Sequence, residues 1–162
     1  MMQNQWRALE KHYHENKTRA IGVSNFCAPC LECIAKVATV VPAVNQLQFH
    51  VGMPGDDPKG LVSYCRSKGI VVQAYSPLGG DAHGKVLVQV AASHNISTAQ
   101  LALKWVLQLG HALATSTVKI DYMRTDLAIM RADWHLSDQE MATLTKLAVA
   151  PDDPVKSMCL FK

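Results

Sequence analysis

The feature that most limits what this chain can fold into is its alternation of short apolar runs with amphipathic helical stretches, punctuated by Gly, Pro, Ser and Asn. An opening helix over residues 1–17 carries Trp6, Leu9 and Tyr13 three to four positions apart, on one face. The apolar run Ala20–Val23 follows and ends at Ser24 and Asn25. A helix is predicted from about Pro29 to Thr39, with Leu31, Ile34 and Val37 as its stripe, and then a strand over Ala43–Phe49. The loop GMPGDDPKG introduces a helix over Leu61–Lys68, which Gly69 is placed to stop in the left-handed conformation. Ile70–Tyr75 is rich in β-branched residues and bounded by Gly69 and Pro77, the pattern of a strand.

The third repeat is longer. A loop from Ser76 leads to a helix over Lys85–Ser93, and a second helix opens with Ser97 or Thr98 as N-cap and runs to Gly110. Ala112–Thr115 reads as a strand, Tyr122–Met130 as a helix, and Ser137 with Glu140 as a capping box opening a last helix that ends near Val149. Strands alternating with helices argue for a parallel sheet covered by helices. Periodicity alone leaves an open sheet and a barrel both standing. The polar residues Ser24, Asn25, Gln46, Gln48, Tyr75, Ser76 and Ser116 fall at the C-terminal ends of the strands, the edge where parallel α/β folds hold ligands. No GxGxxG follows the first strand, which argues against a Rossmann fold.

Composition narrows the function classes. A chain of 162 residues, 49% hydrophobic, can bury roughly 68–70% of its unfolded surface in one core. The net charge of +3 contains no basic block, so neither nucleic acid nor a membrane surface is expected as a partner. No apolar run approaches the ~18 residues that span a bilayer, and the N-terminus lacks the apolar core of a signal peptide. Five cysteines demand no disulfide framework, and a reducing cytoplasm is the expected location. Cys27, Cys30 and Cys33 form a C-x₂-C-x₂-C run, but no Cys-Pro follows and Cys65 and Cys159 are distant, so no metal site is expected.

Taken together, Arg19–Phe26, the triplet Val44-Asn45-Gln46 followed by His50, Gly69–Gly79, and Ser97–Trp105 resemble the aldo-keto reductase family. The resemblance runs from the start of the chain to about Leu147. It implies an α/β fold, the C-terminal half of a (β/α)8 TIM barrel with about four parallel strands and covering helices. Residues 1–150 would be this partial barrel and 151–162 a C-terminal tail. The resemblance further implies a bound nicotinamide cofactor, NADPH first and NAD as the alternative. Ser24, Asn25 and Gln46 would hold the carboxamide, Tyr75 would stack on the ring, and Ser76 and Leu78 would lie along the pyrophosphate. Side-chain chemistry agrees, since an amide needs paired donors and acceptors and a flat cationic ring an aromatic face. Each residue also has a plainer role: Asn45 and Gln46 as partners of loop backbone, Tyr75 as packing, Ser24 and Asn25 as a helix cap.

The chain departs from the family in two respects. The catalytic Asp, Tyr, Lys and His of the family precede the segment matched here, and Tyr13, Tyr64 and Tyr122 fall on predicted helices. Without a placed proton donor, hydride transfer forgoes the ~10²–10⁴-fold contribution of general acid catalysis. At the adenosine end the usual Lys-Ser is Thr115-Ser116, with Lys119 and Arg124 left to meet a 2′-phosphate. The chain therefore reads as part of an NAD(P)H-dependent carbonyl reductase, inactive alone and acting on a small aldehyde or ketone once completed by an N-terminal half. The alternative is a truncated, non-catalytic cofactor-binding or interaction module. Exposed edge strands would favour self-association.

Overall fold

The structure is a computed structural model that describes residues 1–79, 84–131 and 133–147. The expected tail over 151–162 and the stretch to Val149 lie outside these residues. In chain order the elements are α1 (Met2–His14), β1 (Val23–Ser24), α2 (Ala28–Ala35), β2 (Val44–Gln48), a 3₁₀ turn (Pro58–Gly60), α3 (Leu61–Ser67), β3 (Val71–Tyr75), α4 (Lys85–Ser93), α5 (Thr98–Gln108), β4 (Ala112–Ala114), α6 (Ile120–Arg131) and α7 (Asp138–Thr145).

The strands form one sheet in the order β1-β2-β3-β4. β1 and β2 pair in parallel, with Val23 opposite Asn45 and Ser24 opposite Gln46. Between β2 and β3, Val71 N–H donates to the Ala43 carbonyl at 3.0 Å and Phe49 N–H to the Tyr75 carbonyl at 3.3 Å. Position rises together along both strands, which defines a parallel pair. Four parallel strands with surrounding helices are the α/β arrangement expected.

Contacts divide the chain into two compact units: Met1–Leu47 with Asp57–Gln73, and Gln48–Asp56 with the described residues from Ala74 onward. The first has its core in Trp6, Leu31, Ile34, Leu47, Leu61 and Cys65. In the second, Phe49 stacks on Trp105 with ring centres 5.5 Å apart, and His111 meets Phe49 edge-on at 4.9 Å. Leu101, Leu103, Val106 and Leu144 complete that core.

Helix ends show specific hydrogen bonds overriding periodicity. On α1 the buried residues are Trp6 and Glu10, while Leu9 is 40% exposed, so the expected Trp6–Leu9–Tyr13 stripe is replaced by one containing a carboxylate. Glu10 Oε1 accepts from the Thr39 and Val40 amides at 2.6 and 2.8 Å and from the Thr39 hydroxyl at 3.0 Å. Capturing those amides fixes the loop that follows α2, and the helix closes at Ala35, short of the expected Thr39. β1 is likewise shorter than Ala20–Val23 suggested, although Ile21 still offers its carbonyl to Ala43 N–H at 2.8 Å.

Asp57 Oδ1 accepts from Val62 and Ser63 N–H at 2.7 and 3.1 Å, so it caps α3 from beyond the 3₁₀ turn. Gly69, at φ 69°, follows the helix as expected. Ser97–Gln100 and Ser137–Glu140 both form reciprocal capping boxes, at the starts of α5 and α7. α6 begins at Ile120, two residues before the expected start.

Candidate cofactor site

Strand alternation decides which residues are available to a ligand. Along β2 the odd-numbered Asn45 and Leu47 are buried, whereas Val44, Gln46 and Gln48 are half-buried on the other face. Along β3, Val72 and Ala74 are buried while Gln73 and Tyr75 are half-buried. The neighbours Asn45 and Gln46 therefore do different jobs.

Asn45 is fully buried. Its Nδ2 donates to the Phe26 carbonyl at 2.8 Å, and its Oδ1 accepts from Phe26 N–H at 3.3 Å. This reciprocal pair holds the turn that leaves β1, so the plainer reading, a partner for loop backbone, is right for Asn45. Gln46 supplies the rest of that turn through its carbonyl, which accepts from Asn25 N–H at 2.9 Å and from the Ser24 hydroxyl at 3.3 Å. Its side chain stays on the open face, where Nε2 donates to Gln73 Oε1 at 2.7 Å.

Asn25 sits at φ 57°, a left-handed conformation that Asn tolerates better than most side chains. Its Oδ1 is buried with no hydrogen-bond partner. A buried acceptor without a donor costs about 1–3 kcal/mol. Such an atom fits a site that receives an N–H donor from a ligand, and a carboxamide carries two. Ser24 is exposed at the strand end, with a hydroxyl that can turn to a ligand. These residues, all within the first unit, match a nicotinamide carboxamide in donor and acceptor type.

In the second unit, Tyr75 ends β3 half-buried, and Ser76 follows in a left-handed conformation at φ 51°. Gly79 N–H donates to the Ser76 carbonyl at 2.9 Å, closing a tight turn that leaves Leu78 37% exposed. Gly79 packs directly on His50: a Cβ there would come 2.7 Å from the imidazole Cδ2. His50 is itself buried, its Nδ1 2.8 Å from the Val51 carbonyl, so it supports the loop.

Ser116 lines a cleft of about 360 Å³ with Leu113, Thr115, Thr117, Met123 and Asp126. Lys119 and Arg124 do not line it. Arg124 is exposed and pairs with Asp121 at 3.3 Å, and the Lys119 ammonium lies 5.0 Å from the centre of the Tyr122 ring.

Reading the sequence missed Gln73 and Glu10. Gln73 had a signal, because period-two alternation places it on the face of Tyr75. Tyr13, Tyr64 and Tyr122 do lie on helices, α1, α3 and α6. Burial, then the charge of Glu32, push the Tyr64 hydroxyl up. Among the described residues no group of three or more His, Cys, Asp or Glu is placed to hold a metal ion, and Cys30, Cys33 and Cys65 are free thiols. No described helix is long and apolar enough to cross a membrane.

Parallel strands with covering helices make an α/β fold, and comparison with known proteins names the family. The aldo/keto reductase family model matches residues 1–85, more than half of the chain, and the chain belongs to that family. It is 41% identical over 144 residues to the glyoxal reductase of Bacillus subtilis (strain 168), a match covering 88% of this chain and 50% of that protein. With the NAD/NADP-dependent indole-3-acetaldehyde reductase of Schizosaccharomyces pombe (strain 972 / ATCC 24843) it shares 38% over 125 residues, 74% of this chain and 44% of the relative. The aldose reductase of Schistosoma japonicum superposes with a TM-score of 0.83 at 28% identity, over 92% of this chain and 48% of that structure. The chain thus spans about half the length of the curated relatives it matches.

Proposed function

We propose that this chain supplies the cofactor-orienting part of an NAD(P)H-dependent carbonyl reductase acting on a small aldehyde or ketone. The observation that carries the reading is the buried, unpartnered Asn25 Oδ1 just after β1, on a residue whose N–H is bonded to the Gln46 carbonyl in the middle of β2. In this reading Asn25 and Gln46 accept from the carboxamide N–H groups, and the Ser24 hydroxyl donates to its carbonyl. Tyr75 offers a ring face, and the Ser76–Leu78 turn offers backbone and a hydroxyl to the pyrophosphate. Ser116 and Arg124 serve the adenosine end, Arg124 by leaving Asp121 for a 2′-phosphate, which gives NADPH the preference over NADH. The nicotinamide, when bound, supplies the hydride. The residues of this chain hold and orient it, and the proton donor comes from residues outside these 162. A cytoplasmic location belongs to the same proposal.

The test uses the purified chain with NADPH and a reactive aldehyde. Cofactor binding, read by quenching of protein fluorescence, is expected without consumption of NADPH. Asn25→Ala is expected to weaken that binding about tenfold, the scale of one hydrogen bond to a buried acceptor. Measurable turnover would instead show that the chain has its own proton donor. The second reading, a non-catalytic module, is favoured by the raised pKa of Tyr64 and the helical placement of Tyr13 and Tyr122. It expects the same binding, with no gain of activity when the remaining part of a family barrel is supplied in trans.

A further inference from the structure

Gln73 belongs to none of the residues assigned above, yet it makes the shortest side-chain contact of Gln46, the 2.7 Å bond from Gln46 Nε2 to Gln73 Oε1. A primary amide has two unlike ends. Left free, Gln46 could turn its –NH₂ or its carbonyl oxygen toward a ligand, because the terminal torsion is soft and roughly two-fold. The bond to Gln73 sets the preference. In the arrangement seen, one Nε2 hydrogen goes to Gln73 Oε1, and Gln46 Oε1 is left with no partner among the described residues.

The second polar atom waiting there is also an acceptor, the buried Asn25 Oδ1. Asn25 and Gln46 are tied through the 2.9 Å backbone bond between Asn25 N–H and the Gln46 carbonyl. Two acceptors on residues joined by that backbone bond favour a group with two N–H donors, and disfavour one that only accepts, which would leave both unpaired. Resting on the cofactor reading above, we infer that Gln73 is a positioning residue. By drawing the Gln46 –NH₂ toward itself it turns Oε1 to the –NH₂ of a carboxamide, and so sets discrimination between a nicotinamide and a ring bearing a different carbonyl substituent.

The test compares the dissociation constants of NADPH and of its 3-acetylpyridine analogue, whose acetyl group accepts but cannot donate. Both are titrated by fluorescence against the wild-type chain, Gln73→Leu and Gln73→Glu. Wild type is expected to favour NADPH by about tenfold, as losing a donor to a buried acceptor implies. Gln73→Leu should reduce that ratio to about two. Gln73→Glu keeps an oxygen acceptor for Gln46 Nε2 and should restore most of it, a rescue that a packing role would not give. Independently of any cofactor, amide NMR of the Gln46 side chain should show slowed hydrogen exchange at Nε2 in wild type and in Gln73→Glu, lost in Gln73→Leu. A wild-type chain that fails to discriminate the two cofactors overturns the cofactor reading and this inference with it. Discrimination that survives in Gln73→Leu, or unchanged Gln46 exchange, overturns the role of Gln73 alone.

Discussion

Glu10 is a buried acid whose worth follows from what it accepts. Burial by itself would raise its pKa, but the bonds from Val40 and Thr39 outweigh that and hold it below the ordinary 4.5. A carboxyl lowered on folding stabilises above its unfolded pKa, and that contribution is lost as pH falls through the folded value. Stability from Glu10 is therefore complete above about pH 4.5 and disappears below it. Glu10→Ala should cost about 1–3 kcal/mol at neutral pH, by orphaning two backbone amides, and should flatten the acid limb of a Tm-against-pH profile. An unaltered acid limb would mean that other carboxyls control it. Asn45→Ala, which strips partners from both polar groups of Phe26, should cost at least ~2 kcal/mol in urea unfolding. For cofactor choice, Lys119→Ala with Arg124→Ala should weaken NADPH binding more than NADH binding. Equal losses would remove both residues from the 2′-phosphate site.

At the scale of elements, helix starts carried the plainest signals. Ser137 with Glu140, and Ser97 as a cap, could be read from spacing because a capping box is local: every atom it needs lies within four residues. Ser137→Ala should cost about 1 kcal/mol. It also removes the 2.7 Å bond from the Ser137 hydroxyl, which with the retained Ser137 N–H bond and ahead of the His94 contact at 2.8 Å holds the Glu140 carboxyl below its usual range. The pKa of Glu140 should therefore rise in the variant, measurable by carboxyl NMR. Helix ends were less legible. The Ala35 terminus of α2 is set by Glu10, some thirty residues away in sequence (29 and 30 positions from Thr39 and Val40), and no local pattern encodes it. Of the residues proposed for the cofactor, Tyr75 and Asn25 were visible as polar punctuation at strand ends, while Gln46 lies in the middle of β2. Which of Asn45 and Gln46 is buried depends on the sheet face that is covered.

For the molecule as a whole, β1 and β4 end the strand order, and each has one neighbour among the described residues. Unpaired parallel edges offer free backbone donors and acceptors and favour association. The isolated chain is expected to sediment above the 17.7 kDa monomer or to unfold without a sharp transition. A clean monomer with cooperative thermal unfolding would show that its edges are satisfied in another way.

By itself the sequence determined the alternation of strands and helices, the capped helix starts and the family, because these rest on propensity and spacing within short windows. Only the tertiary structure decided that Asn45 braces a turn while Gln46 stays open, that Gln73 fixes the Gln46 amide, and that a carboxylate closes the α2 loop. Those outcomes hang on hydrogen bonds between residues 19 to 30 apart in sequence, whose partners exist only once the strands are in register.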